Sequence, residues 1–282
     1  MNKKRISFSG GQSSGKLLRD EMEKNPKTFL QEYSVDFCNT GREYNETLDF
    51  VHAVEQGWGI PITWLEYCLD EGKHSFKVVN YETASRRDSV RGPFDQMLEI
   101  AGALPSVMGR SCSGQLKVRT MRRYLQSIGL TEWESFIGIR NDERHRTVEV
   151  MSACPKYITP RFPLCDSNQT IKDVNDFWDK HPFKLNIPNH KGNCDLCFLK
   201  ARWKRIAILR LDPDAANWWI NWEKKFIAKG VTGNGAKWQE NKSYEGLLIE
   251  SQHPEFDFNY TDSNDVDVPC SCVVSGYRDA DA

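Results

Sequence analysis

Ile6-Ser7-Phe8-Ser9-Gly10-Gly11-Gln12-Ser13-Ser14-Gly15-Lys16 is the stretch whose reading decides the fold. Ile6 to Phe8 is a short β-prone run, Ser9 to Gly15 is built of small residues, and a helical pattern runs from about Lys16 to Lys24. A loop that leaves a strand and enters a helix presents backbone N–H groups and the positive end of the helix dipole to the same point in space. Glycines let a phosphate approach that backbone, and the hydroxyls of Ser9, Ser13 and Ser14 add donors. Ser9, Gly10, Gly11, Gln12, Ser13 and Ser14 are therefore candidate nucleotide-binding residues. An ordinary tight turn has a similar composition, so the rest of the chain must decide between the two.

Working outward, Tyr33 to Cys38 reads as a second buried strand ending in the turn Asn39-Thr40-Gly41. Glu43 to Gln56 carries Leu48, Val51 and Val54 at helical spacing, and Ile60 to Tyr67 reads as a third strand. Strands alternating with helices at this spacing predict a parallel α/β sheet. Further expected elements are a strand at Phe76–Tyr81, helices at Phe94–Ala103 and Val118–Ser127, and strands at Ser135–Ile139 and Tyr157–Phe162. Beyond residue 168 the pattern turns helical, with helices expected at Ile171–His181 (capped by Thr170), Phe198–Arg210 and Asp214–Lys229. The tail from about Asn234 carries few structure signals. The expected organisation is a nucleotide-binding α/β unit over 1–168 and a helical, cysteine-bearing region over 169–282.

Thirty-eight Lys and Arg against 39 Asp and Glu leave a net charge of -1, which argues against a protein held on nucleic acid by bulk electrostatics. No apolar run approaches the ~20 residues that span a bilayer, and the basic N-terminus lacks a signal-peptide core. The expectation is a cytoplasmic protein with no membrane partner. Nine cysteines fit a disulfide framework poorly because the number is odd, and clustered cysteines in a reducing compartment point to metal or cluster ligands. Cys194-Asp195-Leu196-Cys197 and Cys270-Ser271-Cys272 are the two pairs, and Cys112 lies beside a predicted ligand loop. Cys38, Cys68, Cys154 and Cys165 read as small buried residues. The Trp218, Trp219 and Trp222 stripe reads as packing against the core in preference to a base-stacking surface.

Gly10 to Lys16 matches the first seven positions of the Walker A pattern, but Leu17 stands where a Ser or Thr would ligate magnesium. Ser9 to Ser14 is a better match to Ser-Gly-Gly-x-x-Ser and resembles the PP-loop of ATP pyrophosphatases and phosphoadenosine phosphosulfate (PAPS) reductases. Four later segments extend the resemblance in family order. They are Phe37–Val51, Cys112-Ser113-Gly114-Gln115-Leu116-Lys117-Val118-Arg119, Gly138-Ile139-Arg140-Asn141-Asp142-Glu143, and Asn193–Lys200, which looks like the Asn-Cys-Asp-Leu-Cys-Phe-Leu-Lys stretch of bacterial and phage PAPS-reductase-like proteins. The chain departs from the pattern at Ser13, where ATP-cleaving loops carry Asp. It departs again at Cys270 and Cys272, which lack the glycine-histidine context of the reductase cysteine.

The resemblance implies a Rossmann-like, PP-loop α/β fold and an enzyme that binds ATP or PAPS and reduces or transfers sulfur. Asn39, Thr40, Gly41, Lys117, Arg119, Arg140 and Arg144 would join the loop in holding the nucleotide, with Asp142 and Glu143 orienting the arginines or holding Mg2+. It implies a [4Fe-4S] cluster on Cys112, Cys194 and Cys197, with Cys272 or Cys270 as fourth ligand. The alternative is Zn2+ on Cys194, Cys197, Cys270 and Cys272. Catalysis would fall to Cys270 or Cys272 with Lys117 and Arg140. The partners would be an electron donor such as thioredoxin for a reductase, or nucleic acid as sulfur acceptor for a transferase. A lapsed nucleotide-binding protein of phage or defence origin is the reading outside enzymology.

Overall fold

The computed structural model describes residues 3–253, apart from 108, 189, 193 and 241. Six strands form one sheet: β1 (Lys4–Ser7), β2 (Tyr33–Asn39), β3 (Ile62–Asp70), β4 (Lys73–Val79), β5 (Trp133–Phe136) and β6 (Ile158–Arg161). Their order is β4-β3-β2-β1-β5-β6, and every neighbouring pair is parallel except β3 and β4. This is a Rossmann-like α/β fold. Six of the seven residues of β2 are buried, as a strand covered by helices on both faces requires.

The antiparallel exception comes from a hairpin. Asp70 pairs with Lys73, and the two residues between them, Glu71 and Gly72, have φ of 47° and 78°. Two consecutive positive φ values match the right-handed twist of the flanking strands. Strand β3 therefore runs past the expected Tyr67 to Asp70, and β4 begins at Lys73, ahead of the expected Phe76.

Chain order reverses at β1: β2 and β3 lie to one side of it, β5 and β6 to the other. The connection leaving β1 runs on to β2 on one side and that leaving β5 to β6 on the other, the topology that opens a crevice at the carboxyl ends of such strands. Helix α1 (Gln12–Lys24) follows β1, α2 (Phe29–Glu32) leads into β2, and α3 (Asn45–Trp58) follows it. Helix α4 (Pro93–Ile100) follows β4. A helical run then begins as α5 (Ser111–Ser113), widens to a π-helical turn over Gly114–Arg119 and continues as α6 (Thr120–Ser127). Next come α7 (His145–Ala153), α8 (Pro163–Asp166) and α9 (Ile171–Asp179), the last opened by Asp173, whose carboxylate accepts from the Thr170 N–H at 2.7 Å.

Residues on both sides of position 168 share the same cores. Val174 and Trp178 of α9 pack with Leu17, Phe50 and Val51, and Trp178 Nε1 donates to the Gln12 carbonyl at 2.9 Å. Helices α10 (Arg202–Leu211), α11 (Ala216–Ala228) and α12 (Tyr244–Ser251) bury Ile206, Trp219, Trp222 and Leu247 against Phe94, Met97 and Leu98 of α4. The tryptophan stripe is packing here: Trp219 is 1% exposed, and Trp218 and Trp222 both donate to Asp95 Oδ1.

Several elements differ from expectation. The helix expected from Phe198 starts at Arg202, since Phe198 and Leu199 are spent as buried turn residues. Strand β5 ends at Phe136, where its partner β6 ends, so Ile137 to Ile139 already belongs to the loop. The tail holds α12, whose Tyr244 and Leu247 are buried and whose Ser243 hydroxyl accepts from the Gly246 N–H at 3.1 Å. Among the described residues, no helix is long and apolar enough to cross a membrane. Cys270 and Cys272 lie outside the described residues.

Candidate functional site at the switch point

The loop after β1 is held by its own serines. Ser14 Oγ donates to the Gly11 carbonyl at 2.9 Å, accepts from the Ser9 N–H at 3.2 Å, and lies 3.0 Å from Ser9 Oγ. Gly10 has φ of 74°, and a Cβ there would stand 2.7 Å from Thr47 Cγ2, so no other residue keeps this turn. Gly11 caps α1 with no side-chain hydrogen bond. The first N–H groups of that helix therefore stay available to a ligand.

The loop after β5 closes on the loop after β1. A Cβ on Gly138 would come within 2.9 Å of Ser14 Cα, so glycine sets the spacing of the two backbones. Beyond it, Arg140 Nη1 donates to Ser13 Oγ at 2.8 Å. Asp142 (3.1 Å) and Glu143 (3.2 Å) flank the same guanidinium, so the acidic pair orients Arg140 as expected of it. The hydroxyl standing where PP-loops carry aspartate is thus an arginine's partner. Lys16 is turned away: it pairs with Asp20 and lies over the Phe177 ring, which leaves no phosphate-binding lysine of the Walker type.

These loops line a cavity of about 680 Å³, within the range that holds a nucleotide. Ser9, Gly11, Gln12, Ser13 and Ser14 form one wall and Arg140 stands beside them. Lys117, Lys200 and Lys204 add three cationic side chains, while Val118, Met121, Ile137 and Ile139 supply an apolar wall. Cys38 and Cys197 are the thiols on the lining. Asp36 lies at the floor in a buried pair with Arg5, whose Nε donates to Asp36 Oδ2 at 2.7 Å.

Lys117 is the common neighbour of the cysteines. Burial works against its charge, but Glu43 and the thiols of Cys194, Cys38 and Cys112 outweigh that and raise its pKa. It is a cation at neutral pH. Burial pushes the Cys38 and Cys112 thiols up to about 12, with Asp36 and Cys197 as the next causes respectively. Burial also raises Cys194 and Cys197, the latter opposed by the Leu199 N–H, Lys200, Lys117 and Arg205. Cys112, Cys194 and Cys197 are soft donors around one cation, which suits a thiolate-bound cluster in kind. Among the described residues no three Cys, His, Asp or Glu side chains close on one ion position, so Cys112, Cys194 and Cys197 do not form a ligand set as they stand.

Several expected contacts are not brought to the cavity. Asn39 is fully buried and donates to Glu66 Oε1 at 2.6 Å and to the Ser85 carbonyl at 2.8 Å. Its own Oδ1 accepts from the Gly41 N–H, and Thr40 donates to Glu43 through both its N–H and hydroxyl. Asn39, Thr40 and Gly41 thus form a clasp, with their polar groups spent on Glu66, Ser85, Glu43 and one another. Arg144 donates to the Asn141 side chain and the Cys165 carbonyl. Arg119, two positions beyond Lys117 and so turned to another face of the helix, is not on the cavity lining. Cavity residues that the motif reading passed over include Cys38, taken as a small buried residue, and the cations Arg146 and Lys204. The carboxyl end of β2 was the available signal for Cys38, since ligands gather at such ends.

No protein-family model matches the chain. It is 31% identical over 207 residues to the "Uncharacterized nin region protein ORF290" of Escherichia phage lambda, an alignment covering 71% of this chain and 67% of the relative. At that identity and coverage, the chain belongs to the family of this phage lambda nin region protein.

Proposed function

We propose that the chain is a PAPS-reductase-like enzyme that binds an adenine nucleotide in the switch-point cavity and carries out sulfur chemistry there. One observation carries the reading: an uncapped helix N-terminus, the cations Arg140 and Lys117, and the thiols Cys38 and Cys197 line a single cavity. The loop amides and Arg140 take the phosphate charge, which would be costly to bury unpaired. Lys117, on the same lining and close to the thiols, stabilises charge that develops during transfer.

In the reductase reaction a cysteine thiolate attacks the sulfuryl sulfur of PAPS. The bond from sulfur to the bridging phosphate oxygen breaks, and the adenosine bisphosphate leaves with that electron pair. A second thiol, from a donor such as thioredoxin, then releases sulfite and forms a disulfide. The proposal assigns the attack to Cys270 or Cys272, which lie outside the described residues. The arginine bond to Ser13 favours this version over magnesium-assisted ATP cleavage and sulfur transfer to nucleic acid, because the aspartate that would serve the metal is missing.

The proposal also assigns Cys112, Cys194 and Cys197, with Cys272, to a [4Fe-4S] cluster, supported by the thiols gathered around Lys117. Such a cluster would supply electrostatic and redox influence beside the sulfuryl group. Anaerobically purified protein is expected to contain iron and acid-labile sulfide and to release sulfite from PAPS with thioredoxin as reductant. Zinc without iron overturns the cluster assignment. Failure to bind PAPS or ATP overturns the reading as a whole.

A further inference from the structure

The helix that carries Lys117 has a second cationic face. Arg119 and Arg123, one turn apart, stand on the helical run that packs on β3 and β4, near enough to His74 to disfavour its charge. Phe76 of β4 packs edge-on to Tyr124 at 5.8 Å between ring centroids, which fixes the helix against the hairpin. His74 Nδ1 lies 2.7 Å from the Tyr67 hydroxyl.

The two arginines are poorly provided for. Among the described residues neither pairs with a carboxylate. Arg119 Nε and Arg123 Nη1 are buried without a hydrogen-bond partner, and the one bond of Arg123 is a long 3.4 Å contact to Gln115 Oε1. Burial, then the neighbouring Arg119 and Arg122, holds Arg123 below the usual arginine range. Proteins do not gather like charges and leave buried donors unmade without compensation. Two arginines one turn apart on a helix can together hold a phosphate or sulfate oxyanion through their planar N–H forks.

We propose that Arg119, Arg123 and His74 form a second oxyanion site, separate from the nucleotide cavity, which takes a phosphate group. The Tyr67 hydroxyl donates to His74 Nδ1 in this arrangement and leaves Nε2–H as a third donor beside the two forks. The phosphate belongs either to a free ion or small phosphorylated ligand, or to a nucleic-acid backbone.

Histidine-selective NMR of the full chain tests this, with inorganic phosphate titrated at constant ionic strength. His74 reports the proposed site, and His190, on the cavity lining, reports the nucleotide cavity in the same spectrum. Phosphate is expected to shift the His74 ring signals saturably, and R119Q/R123Q to weaken that response at least tenfold while leaving His190 unchanged. Arg123→Lys, which keeps the charge and loses the fork, is expected to fall between the two and serves if the double variant does not fold. A His74 signal unmoved by phosphate and by a single-stranded oligonucleotide overturns the proposal, as does an undiminished shift in the variants. Half-saturation at least tenfold lower for the oligonucleotide, counted per phosphate, identifies the backbone as the source. Comparable values identify the free ion. A silent His190 with a responding His74 would count against the nucleotide cavity alone.

Discussion

Two loops leave neighbouring parallel strands at the same edge of the sheet, and they have opposite fates. After β1, Gly10 and Gly11 hold the chain so that helix N–H groups face a cavity with no side chain capping them. After β2, Asn39, Thr40 and Gly41 spend their donors and acceptors on Glu66, Ser85, Glu43 and one another. Both stretches are small, polar and glycine-containing. What separates them is whether their polar groups have partners within the protein. Unspent donors at a strand end mark a binding loop, and spent ones mark a joint.

The joint continues into Arg42, which pairs with Asp195 out of contact with water; Asp195 also accepts from Trp219 Nε1 at 3.1 Å and from the Leu196 N–H at 2.8 Å. Asp195→Ala leaves a buried guanidinium unpaired and is expected to cost about 3–5 kcal/mol of stability, read by denaturant unfolding. If the loop after β2 is structural, nucleotide affinity of the folded variant stays within about threefold, since the sites act independently. A large loss of affinity with little loss of stability would reverse the assignment of the two loops.

The binding loop is tested from the opposite side by Gly138→Val. Its side chain must push Ser14 away, at a cost of about 1–3 kcal/mol for overpacking. Moving the phosphate-facing amides by about 1 Å is expected to weaken nucleotide binding about 100-fold in calorimetry. Arg140→Ala removes one charged donor without crowding and should cost about 10- to 100-fold in affinity. Its ion pairs are with the neighbouring Asp142 and Glu143, and its bond to Ser13 is a single hydrogen bond, so stability should fall by about 1 kcal/mol. An Arg140→Ala variant that loses stability but keeps affinity would place Arg140 with the joints.

The contrast also explains what the amino-acid sequence could and could not reveal. Strand and helix alternation up to Ile158 was legible because parallel strands buried on both faces leave short apolar runs between amphipathic helices. The Ser9–Ser14 and Gly138–Arg140 loops were legible as a candidate site from their small residues and glycines at strand ends, a signal that the Asn39–Gly41 turn shares. Asn39 was assigned to the nucleotide because its partner Glu66 is 27 positions away, and nothing local marks their meeting. The Arg42–Asp195 pair spans 153 positions, so the joint between the clasp and the Cys194–Cys197 stretch was equally invisible. Helix α12 escaped notice because its single buried stripe, Tyr244 and Leu247, is too short for a periodic signal and is fixed by packing on α11.

The end of β3 asks which class a third strand end belongs to, and His74 gives the gentlest test. Burial, followed by Arg123 and Arg119, lowers its pKa below the ordinary 6.5 in the folded protein; Tyr67 faces it from β3. The folded state therefore disfavours the imidazolium. Its contribution to stability is present above pH 6.5 and is lost as pH falls through the folded value. Because the ring is largely exposed, that contribution should be below about 0.5 kcal/mol, seen as a small fall in Tm between pH 7 and pH 5 that His74→Gln reduces. Bound phosphate would offset the two arginines, raise the folded pKa of His74 and flatten the same slope. A slope unchanged by phosphate would mean that the donors at this strand end face no anion, placing the end of β3 with the clasp.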